Sequence, residues 1–393
     1  MQFKKLVLKE GKEKSVFNRH PWIFSGAVQH VPNCEAGDMV AVYSARKQRL
    51  GTGFIDPGSQ IICRIFHFSD QAFPPEEAFW IDYWSSKIQD AMLLRKQLPD
   101  LKDGNCYRLI HAEGDGVPGV IADVYAEVVS IQLLIPGTIS RKNMWIEAFK
   151  KQGFNALFIR EMQHEDQEKN PGTWVNAPVE KPLITIEHGL KFRVDIEDGQ
   201  KTGFFIDQRA NRKLLGEYAK DRTVLNAFSY SGGFSVYALA GGAKEVHSLD
   251  VSASALQLAT ENVEINQLPA EKHHIIKEDC FKYLKNMPGM FDLIVLDPPA
   301  FAKSKGAVDA AARGYKQINM EAIRNIQPNG LLFTYSCSHH ISRDLFRKIV
   351  FGAAADVGRD VQILHHASQS SDHPVNIYHP ESEYLKGLVL WVR

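Results

Sequence analysis

The chain has 393 residues, 44% hydrophobic and 23% charged, an ordinary composition for a soluble globular protein and a length that predicts two or three domains. Lys and Arg (46) balance Asp and Glu (46), so the whole chain carries no net field pointing to a nucleic-acid partner. Five cysteines (Cys34, Cys63, Cys106, Cys280, Cys337) lie far apart with no CxxC pair, which fits a reducing cytoplasm and argues against a disulfide framework or a structural zinc site. The start, MQFKKLVLKEGKEK, lacks the apolar stretch of a signal peptide, and no apolar run reaches the roughly eighteen residues of a membrane span.

Residues 1–70 read as short strands: DMVAVYSARKQRLGTGFID and QIICRIFHF alternate apolar and polar residues, broken by Gly and Pro. Ten Lys/Arg stand there against six acids, a bias that suits a phosphate-contacting surface or a merely solvated face. Residues 71–188 form a mixed α+β region. EEAFWIDYWSSKIQDAMLLRKQL has helical spacing and puts Phe79, Trp80, Tyr83, Trp84 and Ile88 on one stripe, which predicts core packing rather than a base-stacking platform. GVIADVYAEVVSIQLL and ALFIREM predict strands, and HEDQEKNPGTWVNAPVEKP reads as a loop.

Residues 189–393 show a different pattern. The apolar segments VLNAF, EVHSLD, HHIIKED, FDLIVLD, GLLFTYS, VQILHH and GLVLWV alternate with helical stretches. Such nearly continuous apolar strands predict a doubly wound α/β domain whose mainly parallel sheet is covered on both faces. SASALQLATENVEINQL places Leu256, Ala259 and Val263 on one helical face. Adjacent histidines, as in His273-His274, His339-His340 and His365-His366, point to opposite faces of a strand and chelate poorly, so no metal site is expected.

In such a sheet, ligands sit beyond the carboxyl ends of the strands, near the switch point. Ser229-Tyr230-Ser231-Gly232-Gly233 follows the first strand, where glycine allows close approach to the backbone, or simply a tight turn; G-x-G-x-x-G is absent. Asp250 ends the second strand and can accept hydrogen bonds from the ribose diol of NAD or of S-adenosylmethionine. Asp279 ends the third and can meet an adenine amino group or cap a helix. Asp297 ends the fourth, and the two prolines after it stop the ladder and fix the backbone. This Asp-Pro-Pro is the most specific of the four signals and suits an enzyme that grips a flat, nitrogen-bearing ring. In FTYSCSHH, Cys337 emerges from the fifth strand beside Asp297. It is either a small buried hydrophobe or a nucleophile able to add to carbon 6 of a pyrimidine.

These motifs resemble the bacterial ribosomal RNA large-subunit cytosine-5 methyltransferases of the RlmI type, over essentially the whole chain. The resemblance rests on RHPWIFSGAV, GTGFIDPGSQIICRIF and YRLIHAEGDGVPGVIADVY in the first two regions. In the third it rests on DGQKTGFFIDQRANR, NAFSYSGGFSVYALAGGAKEVHSLDVS, LDPPAFAKSK, RGYKQINMEAI and YSCS. It implies an N-terminal PUA domain, a middle α+β domain and a C-terminal class I methyltransferase domain with a seven-stranded Rossmann-like sheet. It further implies S-adenosylmethionine as cofactor, RNA as partner with a homodimer admitted, and no membrane. Lys201, Thr202, Phe204, Asp207 and Gln208 would close over the cofactor. Ser229, Tyr230 and Gly232 would approach its methionine part, Asp250 its ribose, and Asp279 and Cys280 its adenine. Asp297 would act between cofactor and target base, and Cys337 would be the nucleophile. A larger group of RNA cytosine-5 methyltransferases carries a second cysteine where this chain has Ala300, so product release must proceed otherwise here. Arg313, Tyr315 and Lys316 either touch RNA or are solvated charges at a helix start.

The expected reaction is 5-methylcytosine formation on a cytosine flipped out of its stack. Three alternatives stay open: base-nitrogen methylation, which does not need Cys337; carbon-5 methylation of uracil by the same chemistry; and a non-catalytic RNA-binding protein.

Overall fold

The computed structural model describes residues 3–72, 74, 76–162, 171–176, 178–197, 199, 202–302 and 304–393. They divide into two compact units: Met1–Leu183 with Val194–Phe204 and Ser371–Ser382, and Ile184–Arg193 with Phe205–Ser370 and Glu383–Arg393.

The second unit runs α1 (Arg209–Tyr218), β1 (Thr223–Ala227), α2 (Gly233–Ala240), β2 (Glu245–Asp250), α3 (Ala253–Ile265), β3 (His273–Lys277), α4 (Cys280–Lys285), β4 (Leu293–Leu296), α5 (Val308–Asn325), β5 (Gly330–Ser336), α6 (Arg343–Val357), β6 (Val361–Ser368) and β7 (Lys386–Val392). All seven strands expected from the apolar segments form, in the order β3-β2-β1-β4-β5-β7-β6, parallel except that β7 runs antiparallel to β5 and β6. The order reverses between β1 and β4, the switch point at which such sheets bind ligands. Every residue of β1, β4 and β5 is buried, which is why these segments read as unbroken apolar runs. One face packs Leu225, Leu249, Ile294 and Leu332 against Tyr315, Ile318 and Ala322 of α5 and Phe346 and Ile349 of α6. Helix starts are set by side chains that satisfy orphan amides. Ser252 Oγ accepts from Ala255 N, Asp279 Oδ1 from Lys282 N and Ser342 Oγ from Leu345 N, each worth about 1 kcal/mol.

The first unit carries two sheets. One has six strands in the order Trp22–Phe24, Ile61–His67, Arg49–Ile55, Met39–Tyr43, Lys4–Leu8, Val28–His30. The other has five, in the order Thr173–Trp174, Ala156–Glu161, Val128–Leu133, Val120–Tyr125, Cys106–His111. The aromatic helix Glu77–Gln97 buries Trp80, Trp84 and Ile88 as core, and Trp84 stacks on Phe54 at 6.2 Å between centroids. The stretch expected to be loop departs from expectation at one point: Thr173–Trp174 is a short strand, held because Trp174 packs edge-on to Phe158. Residues 164–170 and 177 of that stretch lie outside the described residues. Ser371–Ser382, although between β6 and β7 in sequence, belongs to this unit, where Asp372 Oδ2 accepts from Arg108 N and its carbonyl from Arg95 Nη2. Among the described residues no helix is long and apolar enough to cross a membrane.

A buried ion cluster holds α1 and α2 of the second unit to the hairpin Leu183–Glu187/Leu190–Val194. Arg212 binds Glu187 in a two-point fork (2.8 and 2.7 Å), Arg209 Nε lies 3.5 Å from the same carboxylate, and Tyr237 donates to it at 3.1 Å. Removing the carboxylate strands two buried guanidinium groups. Glu187→Ala should therefore lower the unfolding free energy by about 3–5 kcal/mol, read as a fall in the denaturation midpoint.

Candidate active site

The loop after β1 is built from backbone that side chains rarely adopt. Phe228 (φ 60°), Tyr230 (φ 46°) and Gly232 (φ 73°) all sit in the left-handed region. For non-glycine residues this costs on the order of 1–3 kcal/mol each and persists only where surroundings impose it. Here Ser229 N donates to Leu249 O (3.0 Å) and Tyr230 N to Asp250 Oδ2 (3.0 Å), while the Tyr230 ring meets Phe205 edge-on at 5.1 Å. At Gly232 a Cβ would come within 2.6 Å of Ala259 Cβ, so glycine is needed for both φ and space. The turn delivers the chain into α2 with Gly232 as N-cap.

Asp250 closes β2, and its other oxygen accepts from Ser252 N (3.0 Å). Its carboxylate thus braces the loop and keeps acceptor capacity for a hydroxyl-bearing ligand. Asp279 lies two residues beyond β3, exposed, as the cap of α4. Cys280 points into the apolar core, where burial pushes its thiol up to about 12, so its side chain offers a ligand little chemistry. Among the buried polar atoms without a hydrogen-bond partner in the described residues, Ser229 Oγ stands just past β1 and Tyr335 Oη near the end of β5. Both stand near the carboxyl end of the sheet, where ligands bind in such folds, and can pair with a polar ligand there.

Asp297 leaves β4 and accepts from Gln208 Nε2 at 2.9 Å. Gln208 is buried and accepts from Asn211 Nδ2 (2.5 Å), which also donates to Ser368 O (3.1 Å). The neighbouring Asp207 accepts from the Tyr384 hydroxyl at 2.6 Å. Thr202 and Phe204 belong to the first unit. There Thr202 Oγ1 donates to Asp123 at 2.5 Å and Phe204 N to Tyr125 Oη at 3.2 Å. Lys201 lies outside the described residues.

Cys337 follows β5, half-buried, with its thiol 3.8 Å from Pro298 O. Parallel pairing of Leu296 with Thr334 brings the two strand ends together, so Asp297 and Cys337 leave the sheet side by side. The serines around Cys337 are structural. Ser338 Oγ accepts from Ala302 N (3.2 Å) and bonds the Tyr315 hydroxyl (2.9 Å), and Ser336 Oγ accepts weakly from Ser338 N (3.4 Å). Tyr315 is therefore core in the middle of α5, neither an RNA contact nor a solvated residue at a helix start. Lys316 pairs with Asp356 at 2.7 Å and Arg313 is exposed. The sequence reading missed Tyr384 and Lys386. Lys386 had a signal, a lysine heading the apolar run GLVLWV, whereas nothing local marks Tyr384. Among the described residues, one metal-compatible grouping exists: ligand atoms of Glu245, His247 and His274 lie within 4.8 Å of one another. It arises from cross-strand pairing of His247 with His274 at the opposite ends of β2 and β3, not from an adjacent-histidine pair.

A reversed β3-β2-β1-β4-β5-β7-β6 sheet with a glycine-bearing loop after β1 and an acid closing β2 defines a class I methyltransferase that uses S-adenosylmethionine. The sequence model of a family described as S-adenosylmethionine-dependent methyltransferase matches residues 152–366, and that of a PUA-like domain matches 6–68. A ribosomal RNA large subunit methyltransferase I of Pseudoalteromonas atlantica is 43% identical over 394 residues, and the protein of that name from Escherichia coli 39% over 395, with 98% of each chain covered in both cases. The chain belongs to this family. Among solved structures, a SAM-dependent methyltransferase from Streptococcus mutans (TM-score 0.85, 23% identical) and the methyltransferase SMU.776 complexed with SAH (0.86, 24%) share the fold over 99% of this chain and 100% of theirs.

Gly232→Ala should cost about 1–2 kcal/mol in backbone strain and add the clash with Ala259. Calorimetry should show weaker S-adenosylmethionine binding together with a lowered melting temperature.

Proposed function

We propose that this chain methylates carbon 5 of a cytosine in large-subunit ribosomal RNA, with Cys337 as the nucleophile. The observation that carries this reading is the juxtaposition of Cys337 with the Asp297-Pro298 turn, its thiol 3.8 Å from Pro298 O. Bound at the switch point, S-adenosylmethionine supplies an electrophilic methyl group. Ser229, Gly232 and Asp250 are the residues proposed to hold it, and Asp279 the one proposed for its adenine. Asp297, aimed by Gln208, is proposed to bind the amino edge of a base flipped into the site. The Cys337 thiolate adds to carbon 6 and pushes electron density to carbon 5, the position that accepts the methyl. Loss of the carbon-5 proton to a base restores the ring and expels the thiolate. The ribosomal substrate is taken from the relatives' name, and the PUA-like region with its basic excess suits the phosphate contacts that position RNA.

The test is methyl transfer from labelled S-adenosylmethionine to unmodified large-subunit RNA, with nucleoside mass spectrometry of the product. Wild type should yield 5-methylcytidine, and Cys337→Ala should lose at least about a thousandfold in rate while still binding cofactor. A methylated base formed equally well by Cys337→Ala would make Cys337 a packing residue and favour nitrogen methylation; 5-methyluridine would change the base.

A further inference from the structure

Lys386 opens β7 as a buried lysine in a strand whose next residues are Gly387, Leu388, Val389 and Leu390. Its ammonium donates to the carbonyl oxygens of Ser338 (2.7 Å) and Ile341 (2.6 Å), on the turn that carries the chain away from Cys337. An ammonium has three donors, so these two bonds leave one. Burying such a charge carries a desolvation cost of several kcal/mol unless an anion compensates it. Among the described residues no carboxylate lies within ion-pair distance of Lys386. Glu383, the nearest acid in sequence, is bound by Arg343 from α6, with Nε–Oε1 at 2.7 Å. Asp297 at the end of β4 is engaged by Gln208, and Tyr315 of α5 is a buried phenol tied to Ser338. Cys337, directly before the Ser338 whose carbonyl Lys386 binds, is the neighbouring group that can form an anion.

We infer that Lys386 is the positioning residue for the proposed nucleophile: it straps the 338–341 turn to β7 and supplies the counter-charge of the Cys337 thiolate. This rests on the reading of Cys337 given above. Burial lowers Lys386 to about 8, Cys337 and Glu383 oppose that fall, and Arg343 adds to it. At neutral pH the side chain is therefore still mostly protonated, and its charge is lost as the pH rises through about 8.

The experiment follows iodoacetamide alkylation of Cys337 against pH in the full-length protein, read by peptide mass spectrometry. Wild type is compared with Lys386→Met, with Lys386→Gln, which keeps two N–H donors without the charge, and with Lys386→Arg, which keeps the charge. Calorimetric binding of S-adenosylmethionine confirms that each variant is folded. The alkylation midpoint should rise by about one pH unit or more in the Met and Gln variants and stay near wild type in the Arg variant. Methyl transfer should fall at least tenfold in kcat for the first two, with cofactor affinity unchanged. An unmoved midpoint in folded Lys386→Met or Lys386→Gln overturns the assignment, as does an Arg variant that shifts as far as Met. These outcomes are separate from failure of the nucleophile reading, which is decided by the activity of Cys337→Ala.

Discussion

Everything at the candidate site depends on the parallel pairing of β4 with β5. Both strands are buried over their full length, so a one-residue slip would move every side chain into the opposite packed layer. With Leu296 paired to Thr334, the chains must leave the sheet together. Two prolines then prevent β4 from continuing as ladder, which turns the chain at Asp297 and sets Pro298 O against Cys337. The hydrogen bonds that follow draw in residues from four further places: Gln208 before α1, Tyr315 of α5, Ser368 of β6 and Lys386 of β7.

The site carries several unfavourable local choices of its own. Phe228 and Tyr230 in left-handed backbone, the unpartnered Ser229 Oγ and Tyr335 Oη, and the buried Lys386 all stand near the carboxyl ends of β1 and β5. None of these features helps the chain fold. They are tolerated because apolar packing under α5 and α6 and the capped helix starts stabilise the sheet independently.

The α/β architecture was legible because a parallel sheet buried on both faces writes its strands as short apolar runs, and all seven runs became strands. The aromatic helix was legible for the same reason, since Trp80, Trp84 and Ile88 recur at helical spacing and are core. Other features had no local signature. Thr173–Trp174 is too short for any periodicity, and its pairing depends on Phe158. Tyr315 sits among charges in RGYKQIN, and only the position of α5 against the sheet turns its ring inward to Ser338. Asp279 caps the helix that follows it through one carboxylate oxygen, a role that local sequence can satisfy.

The sequence by itself determined the strand and helix alternation, the sharp stop at Asp297-Pro298-Pro299 and the chemical types at the strand ends, because each follows from periodicity or from proline and glycine backbone geometry. Tertiary structure decided which of those residues meet. Cys337 and Lys386 are 49 positions apart and no spacing rule relates them; the antiparallel return of β7 along β5 places Lys386 beside the turn after Cys337. The place of Ser371–Ser382 in the first unit likewise comes from long-range hydrogen bonds that local sequence leaves uncommitted, from Arg108 N to the Asp372 carboxylate and from the Arg95 guanidinium to the Asp372 carbonyl.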